Sequence, residues 1–323
     1  MRWHGLFNGV VFSYTAGPMA KARAIVKRRK AVRNIRKITK TMQMIATAKF
    51  QKSLKRAVGT KPYTKKVREL VAELAASVGD VKHPLLRQPT DADRTGRVAL
   101  VVITSNRGLA GAYNGSVLRA STAFIRQQEA EGKAIDLFVS GKKGIGYFNY
   151  QKRPITQKYD QFGDMPKFVD VERVAEFFMK EFVGAKYDAV YIAFTNFISA
   201  GQQKPEVMTL LPLAGVTAKR DATKPKGNGG AEYANVQTKY DFYPDATDLL
   251  DELLPQTVKT AMFQCFLDAT TSENVARMIA MKSATDNADK MVKSLTMQYN
   301  RARQSQITTE LSEIMGGVEA MKN

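Results

Sequence analysis

Among the first 68 residues there is no aspartate or glutamate, while the same stretch carries 19 lysines and arginines, from Arg2 to Arg68. The chain has 50 basic and 30 acidic residues in all, so the other 255 residues are close to neutral and most of the formal charge of +20 sits on one segment. A charge block of one sign confined to one element is a contact surface for an acidic partner. Cysteine is equally scarce. Cys265 is the only one, which excludes an internal disulfide framework and a cysteine zinc site. Only two histidines occur, His4 and His83, too few for a histidine-rich metal site. His83 precedes Pro84 and reads as a structural or surface residue. Apolar runs stay well short of the roughly 20 residues that span a bilayer. Proline and glycine are missing from Thr257 to Met315, which marks one long uninterrupted helix.

The apolar pattern supplies the organisation. Residues 1–18 fit a targeting peptide poorly, and Met19, directly before the basic helical pattern, reads as the translation start. Residues 20–58 read as one helix with an apolar stripe at Ile25, Val32, Ile35, Ile38, Met42 and Ile45, the narrow seam of a coiled coil. Gly59 and Pro62 predict a kink or break, followed by more helix from Tyr63 to Val78. At about 1.5 Å per residue, such an element is roughly 90 Å long, more than a domain diameter. From Arg97 the character changes. Val98–Thr104 is a continuous apolar run of buried-strand type. Tyr113–Glu131, Lys142–Asn149 and Val171–Val183 read as helices, and Ala134–Ser140, Tyr187–Phe194 and Pro205–Pro212 as strands. This alternation predicts an α/β domain with a mostly parallel sheet. Residues 216–232 are a polar loop, and Tyr233–Tyr243 reads as an edge strand. Asp245–Leu254 begins a helix, with Pro255 opening the main one. Its seam runs through Val275, Met278, Met281, Ala288, Val292, Leu295, Tyr299 and Ala302, and then jumps in phase to Ile307, Leu311, Ile314 and Val318. Two long seamed helices at opposite chain ends should pair with each other and leave the α/β domain as an insertion between them. The divisions are thus 1–18, 19–80, 97–215, 216–244 and 245–323.

No catalytic constellation emerges. Thr104–Gly115 lies between a strand and a helix, where backbone N–H groups can meet a phosphate, but it matches neither common glycine-rich nucleotide signature. Gly141–Gly146 reads as turn chemistry. Asp136, Asp160, Asp164 and Asp188 are scattered, and Asp286 and Asp289 sit on a helix surface, so no two acids share a face suited to acid–base work. The basic helix lacks the base-reading residues of a zipper-type DNA-binding region and the Trp, Phe and Leu face of a membrane-surface helix. Protein contact leads. A nucleic-acid-binding coiled coil and a nucleotide-dependent enzyme remain as alternatives.

Three segments carry a specific resemblance: Ile35–Phe50 (IRKITKTMQMIATAKF), Ile103–Asn114 (ITSNRGLAGAYN) with Gly141–Phe148, and Ser272–Met315 with ARMIAMKSATDN and YNRARQSQITTELSEI. Together they resemble the gamma subunit family of the F-type ATP synthase, from Ala20 to the C-terminus. Two positions depart from the family pattern: Asn106 stands where Asp is common, and Ala110 where Cys is common. With Cys265 alone, the cysteine-pair switch of chloroplast members is excluded. The resemblance implies an antiparallel coiled coil with an inserted Rossmann-like α/β domain, acting as a rotor shaft with no catalytic site and no cofactor. It implies as partners the alpha and beta catalytic-head subunits, the epsilon subunit and the membrane c-ring, with no nucleic acid. It implies a peripheral place on the cytoplasmic face of a bacterial plasma membrane, or on the matrix side of the mitochondrial inner membrane. It further implies that Arg36, Lys37, Lys40 and Met42 face the catalytic ring near its collar. Arg303, Gln304 and Thr308 would hold a loop of a catalytic subunit.

Overall fold

The computed structural model describes residues 18–78, 83–87, 94–163, 165–213 and 246–321. Residues 1–17 of the stretch expected to precede the translation start, the polar loop 216–232 and the edge strand Tyr233–Tyr243 lie outside these residues. The elements are α1 (Pro18–Val78), a short 3-10 turn (Pro84–Leu86), β1 (Arg97–Ile103), α2 (Tyr113–Ala130), β2 (Ala134–Ser140), α3 (Lys142–Tyr150), β3 (Gln157–Tyr159), α4 (Phe168–Val183), β4 (Ala189–Phe197), β5 (Gln203–Leu211) and α5 (Ala246–Ala320). The described residues fall into two compact units, one up to Gln43 together with those from Met281 onward, the other from Met44 to Ala280.

In the first unit, α1 and α5 form an antiparallel pair. Thr39 and Thr285 hydroxyls hydrogen-bond at 2.9 Å, Arg36 forms an ion pair with Asp289, and the Arg29 guanidinium lies 4.9 Å above the Tyr299 ring. Partner numbers rise on one helix as they fall on the other. Between these polar pairs, Val32 packs with Ala288, Val292 and Leu295. The α5 seam is the expected one as far as Ala302. The α1 seam is not. It runs through Ile25, Arg29, Val32, Arg36 and Thr39, alternating steps of four and three. Ile35, Ile38 and Ile45, expected in the seam, are 53%, 59% and 51% exposed. They repeat at steps of three and seven, so they mimic a seam while lying on its flank. The true seam is held by Val32, by the Thr39 hydroxyl and by Arg29 and Arg36, each of which has a partner on α5. Past Ala302, Ile307, Leu311, Ile314 and Val318 are all half or more exposed.

In the second unit, a five-stranded sheet has the order β3-β2-β1-β4-β5. β1 pairs in parallel with β2 and β4, β2 in parallel with β3, and β5 closes the sheet antiparallel to β4. The unbroken apolar run of β1 reflects burial on both faces. Ala99, Val101 and Ile103 pack with α4 and the first half of α5, whereas Leu100 and Val102 pack with α2 and α3. The three-residue β3 is too short to carry an alternation and was not foreseen. Strand β4 begins two residues later and ends three later than expected, and β5 begins two residues earlier.

Two prolines behave differently from expectation. Pro62 lies inside an unbroken α1, and Pro255 lies inside α5 rather than opening it. Each removes one backbone hydrogen bond, but buried residues flank both, with Ala57, Thr64 and Val67 around the first and Leu250, Leu254 and Val258 around the second. Around Pro255, burial of Leu250, Leu254 and Val258 at roughly 1.5–3 kcal/mol each outweighs a proline penalty near 3 kcal/mol.

His83 is structural, as expected. Its Nδ1 accepts the Leu85 N–H at 3.1 Å, and its Nε2 lies 3.6 Å from Asp251. Burial lowers its pKa from 6.5, with Asp251 opposing. The folded state therefore prefers the neutral ring. This contribution is complete above pH 6.5 and is lost as pH falls toward the lower folded-state value. His83→Asn keeps an acceptor without titrating. Between about pH 7 and 5, its melting temperature should fall less steeply than that of the unaltered chain.

The corrected seam makes a second prediction. Leu295 is 5% exposed, so Leu295→Ala should lower stability by about 2–4 kcal/mol. Ile38→Ala, on an exposed flank, should stay within about 0.5 kcal/mol of the parent. Chemical denaturation of the two variants side by side checks both values.

Candidate functional site

In open α/β sheets ligands bind beyond the carboxyl ends of the strands, where crossovers diverge to opposite sides. Here that place is the end of β1, which leads to β2 on one side and has β4 on the other. The chain fills it with its own groups. At the start of α3, Lys142 N–H donates to Asn106 Oδ1 at 3.1 Å, Lys143 N–H to the Ser105 carbonyl at 3.1 Å, and Gly144 N–H to Thr104 Oγ1 at 2.9 Å. The N–H groups that would cradle a phosphate are thus committed to the loop after β1. The two glycines of the GKKGIG segment have a packing cause beyond turn chemistry. Gly141 has φ +94°, and a Cβ there would lie 2.2 Å from the Thr104 carbonyl oxygen. A Cβ on Gly144 would lie 2.7 Å from Thr104 Oγ1 and 2.8 Å from Val139. Asn106 also donates through Nδ2 to the Phe162 carbonyl at 2.8 Å. An aspartate could make only the accepting half of this pair of bonds.

Helix α5 closes the remaining space. A cavity of about 30 Å³ is left, lined by residues that include Thr104, Asn106, Tyr113, Phe266 and Glu273, about the room of one water molecule. Arg277 donates to the carbonyls of Arg107 (3.3 Å) and Gly108 (3.4 Å) and pairs with Glu273 at 2.8 Å, one helical turn away. Gly111, at φ +55°, lets the loop lie on Ala276 and Ala280. Tyr113 is fully enclosed, and burial, reinforced by the Glu273 charge and opposed by Arg277, raises its phenol pKa well above 10. The two signature segments ITSNRGLAGAYN and ARMIAMKSATDN therefore meet through one guanidinium. Neither Arg277 nor Glu273 was singled out from the sequence. The available signal was a Glu–Arg pair four residues apart on an otherwise apolar helix.

The residues singled out for partner contact lie in the coiled-coil unit. Arg36, Lys37 and Lys40 are exposed and Met42 is half-buried. Arg36 is already paired with Asp289, and Lys40 Nζ lies 3.5 Å from Gln43 Oε1. Arg303, Gln304 and Thr308 are exposed on one stretch of α5, and the Thr308 hydroxyl donates to the Gln304 carbonyl at 3.0 Å. The structure does not bring these two groups of residues into one site.

The chain thus combines an antiparallel two-helix coil with an α/β unit whose crevice after β1 is filled by the chain's own groups. Residues 21–321 match the family described as ATP synthase. The gamma chain of ATP synthase from Rhodopirellula baltica is 43% identical over 304 residues, covering 94% of this chain and 100% of that one. The gamma chain from Leptospira biflexa is 38% identical over 303 residues, with the same coverage. Among solved structures, a chain of the Euglena gracilis mitochondrial ATP synthase (OSCP/F1/c-ring, rotational state 3) superposes with a TM-score of 0.59 at 20% identity, covering 94% of this chain and 95% of that one. A chain from the central stalk and c-ring of the Tetrahymena thermophila mitochondrial enzyme gives 0.51 at 20% identity, over 76% of this chain and 99% of that one. The chain belongs to the ATP synthase gamma chain family and has the central-stalk fold. The nucleic-acid-binding alternative finds no support among these relatives. No described helix is long and apolar enough to cross a membrane.

Arg277→Ala removes the bonds to both loop carbonyls and the ion pair with the half-buried Glu273. The expected cost is about 1.5–3 kcal/mol. Hydrogen exchange should accelerate over residues 104–111 while α2 and α4 keep their protection. Unchanged exchange in that loop would show that Arg277 does not hold it.

Proposed function

We propose that the chain is the non-catalytic rotor shaft of an F-type ATP synthase. It turns within a ring of alpha and beta subunits and passes torque between them and the membrane c-ring, with the epsilon subunit alongside. The coiled coil carries the contacts that alter the catalytic subunits, and the α/β unit seats the shaft on the c-ring. The protein is thereby held peripherally, on the cytoplasmic face of a bacterial plasma membrane, a placement supported by the bacterial gamma chains at 38–43% identity. The observation that carries the reading is the outer surface of α1. It is studded with exposed lysines and arginines and bears no acid before Glu69, while polar pairs hold its inner face to α5. Exposed ion pairs contribute only about 0–1 kcal/mol each. A surface of many such weak contacts binds acidic segments of the surrounding subunits and releases them in turn, without a deep trap at any one angle.

Within this scheme Arg36, Lys37, Lys40 and Met42 face the ring near its collar. Arg36 does so while tethered to Asp289, which fixes the direction of its guanidinium. Arg303, Gln304 and Thr308 hold a loop of one catalytic subunit. Arg303 offers a planar donor fork for a carboxylate, with Gln304 beside it in sequence and Thr308 about one helical turn beyond Gln304. Catalysis belongs to the partner subunits. The filled crevice after β1 and the committed N–H groups of α3 support this division of labour.

Two measurements test the reading. The purified chain should show no ATP hydrolysis of its own and should co-purify with ATPase subunits from its host. Arg303→Ala should leave the melting temperature of the free chain nearly unchanged, yet lower turnover or assembly of the reconstituted complex. Loss of a charge-assisted hydrogen bond at an interface costs about 1.5–3 kcal/mol, roughly a tenfold effect or more. A much lower melting point with normal turnover would make Arg303 a structural residue and remove it from the interface.

A further inference from the structure

Helix α1 has a weak point that its neighbours cover. Pro62 has no N–H, so the Val58 carbonyl loses its usual acceptor role within the helix. Three residues earlier stands Gly59, which has open space where a Cβ would be and carries the entropic cost of glycine in a helix interior. Sequence alone places a kink or break at this point, and the helix continues through it. The groups around it form one connected network. Gln264 Nε2 lies 3.5 Å from the Ala57 carbonyl and donates to Asp268 Oδ1 at 3.1 Å. Lys61 Nζ lies 3.4 Å from the same Asp268 oxygen, donates to the Phe197 carbonyl at 2.8 Å and stands 5.9 Å from the centre of the Phe197 ring. Phe50, further back on α1, reaches the same ring at 6.0 Å.

The anchor points on α1 are Ala57 and Lys61, one turn apart, on either side of Gly59 and just ahead of Pro62. Both connect to α5 through residues four apart, Gln264 and Asp268, and Lys61 also connects to the end of β4. Ala57 is fully buried and the Asp268 side chain is only 6% exposed, so solvent screens little of this network at its α5 end. Burial pushes the Asp268 carboxyl up, and Lys61 and Gln264 pull it back down.

We propose that Lys61, with Asp268 and Gln264, is a splint that keeps α1 helical across the Gly59–Pro62 weak point. Without it, the turn from Val58 to Pro62 becomes a hinge. If α1 carries torque as proposed above, a hinge there would absorb twist that the splinted helix transmits. That consequence rests on the rotor reading. The splint does not, and its test needs no partner subunit.

The test is hydrogen–deuterium exchange on the purified full-length chain, unaltered and as Lys61→Met, which keeps the bulk of the stem but not the charge. Amides of residues 59–61 and 63–66 should exchange about tenfold faster or more, since local opening is governed by local free energy. Protection in α4 should stay unchanged, as the fold is intact. Lys65→Met is the comparison, because the Lys65 side chain is 80% exposed and forms its ion pair within α1, with Glu69 at 3.7 Å. It should leave the same amides within about twofold of the parent. Adding Gly59→Ala to Lys61→Met should restore a substantial part of the protection, since alanine stiffens the turn by another route. A change below twofold in Lys61→Met, an equal change in Lys65→Met, or a loss of protection spread evenly into α4 would each overturn the splint.

Discussion

A helix of 61 residues exposes more surface than one small domain can cover, and this is the constraint on which the rest of the molecule turns. The solution is a seam of alternating three- and four-residue steps that finds different cover along its length. In the coiled-coil unit the cover is the end of α5, reached through Val32, Thr39 and the Arg36–Asp289 pair. In the α/β unit α1 buries Ala46, Ser53, Ala57, Thr64, Val67, Val71 and Leu74. The seam is small and polar for much of this distance. It gains less from hydrophobic burial than a leucine seam would, and relies instead on hydroxyl and ionic pairs that fix register.

The α/β unit shows the same economy. Its strand order creates the place where related folds accept ligands, and the loop after β1, the start of α3 and Arg277 of α5 occupy that place. A fold is not a function. Here the crevice works as a socket for the chain's own helix, and the glycines at 141 and 144 serve that fit.

Much of this was legible in the sequence, and the exceptions have physical causes. The double-sided burial of β1 is written in an unbroken apolar run, and the parallel sheet in the alternation that follows. The α5 seam could be read because its residues are apolar. The α1 seam could not, because Thr39, Ala46 and Ser53 do not stand out against isoleucines that repeat at a similar interval on an outer flank. Pro62 and Pro255 mislead because local propensity is a weak signal beside tertiary burial. β3 is too short to have a pattern. For the residues proposed to face partners, composition gave the basic surface, whereas Arg303, Gln304 and Thr308 came from family resemblance. The Arg277–Glu273 pair looks like any surface pair until the loop that it holds is in view.

The central claim is that Thr39, not Ile38, faces α5 in an antiparallel pair at the heart of the stalk. The most direct measurement is disulfide crosslinking of the intact chain with Thr39→Cys and Thr285→Cys, whose hydroxyl oxygens lie 2.9 Å apart, against Ile38→Cys with Thr285→Cys. The account predicts rapid, near-complete crosslinking in the first pair and little in the second, because a disulfide needs both Cβ vectors directed toward each other. Equal crosslinking in the two pairs, or none in the first, would contradict the seam and with it the architecture of the stalk.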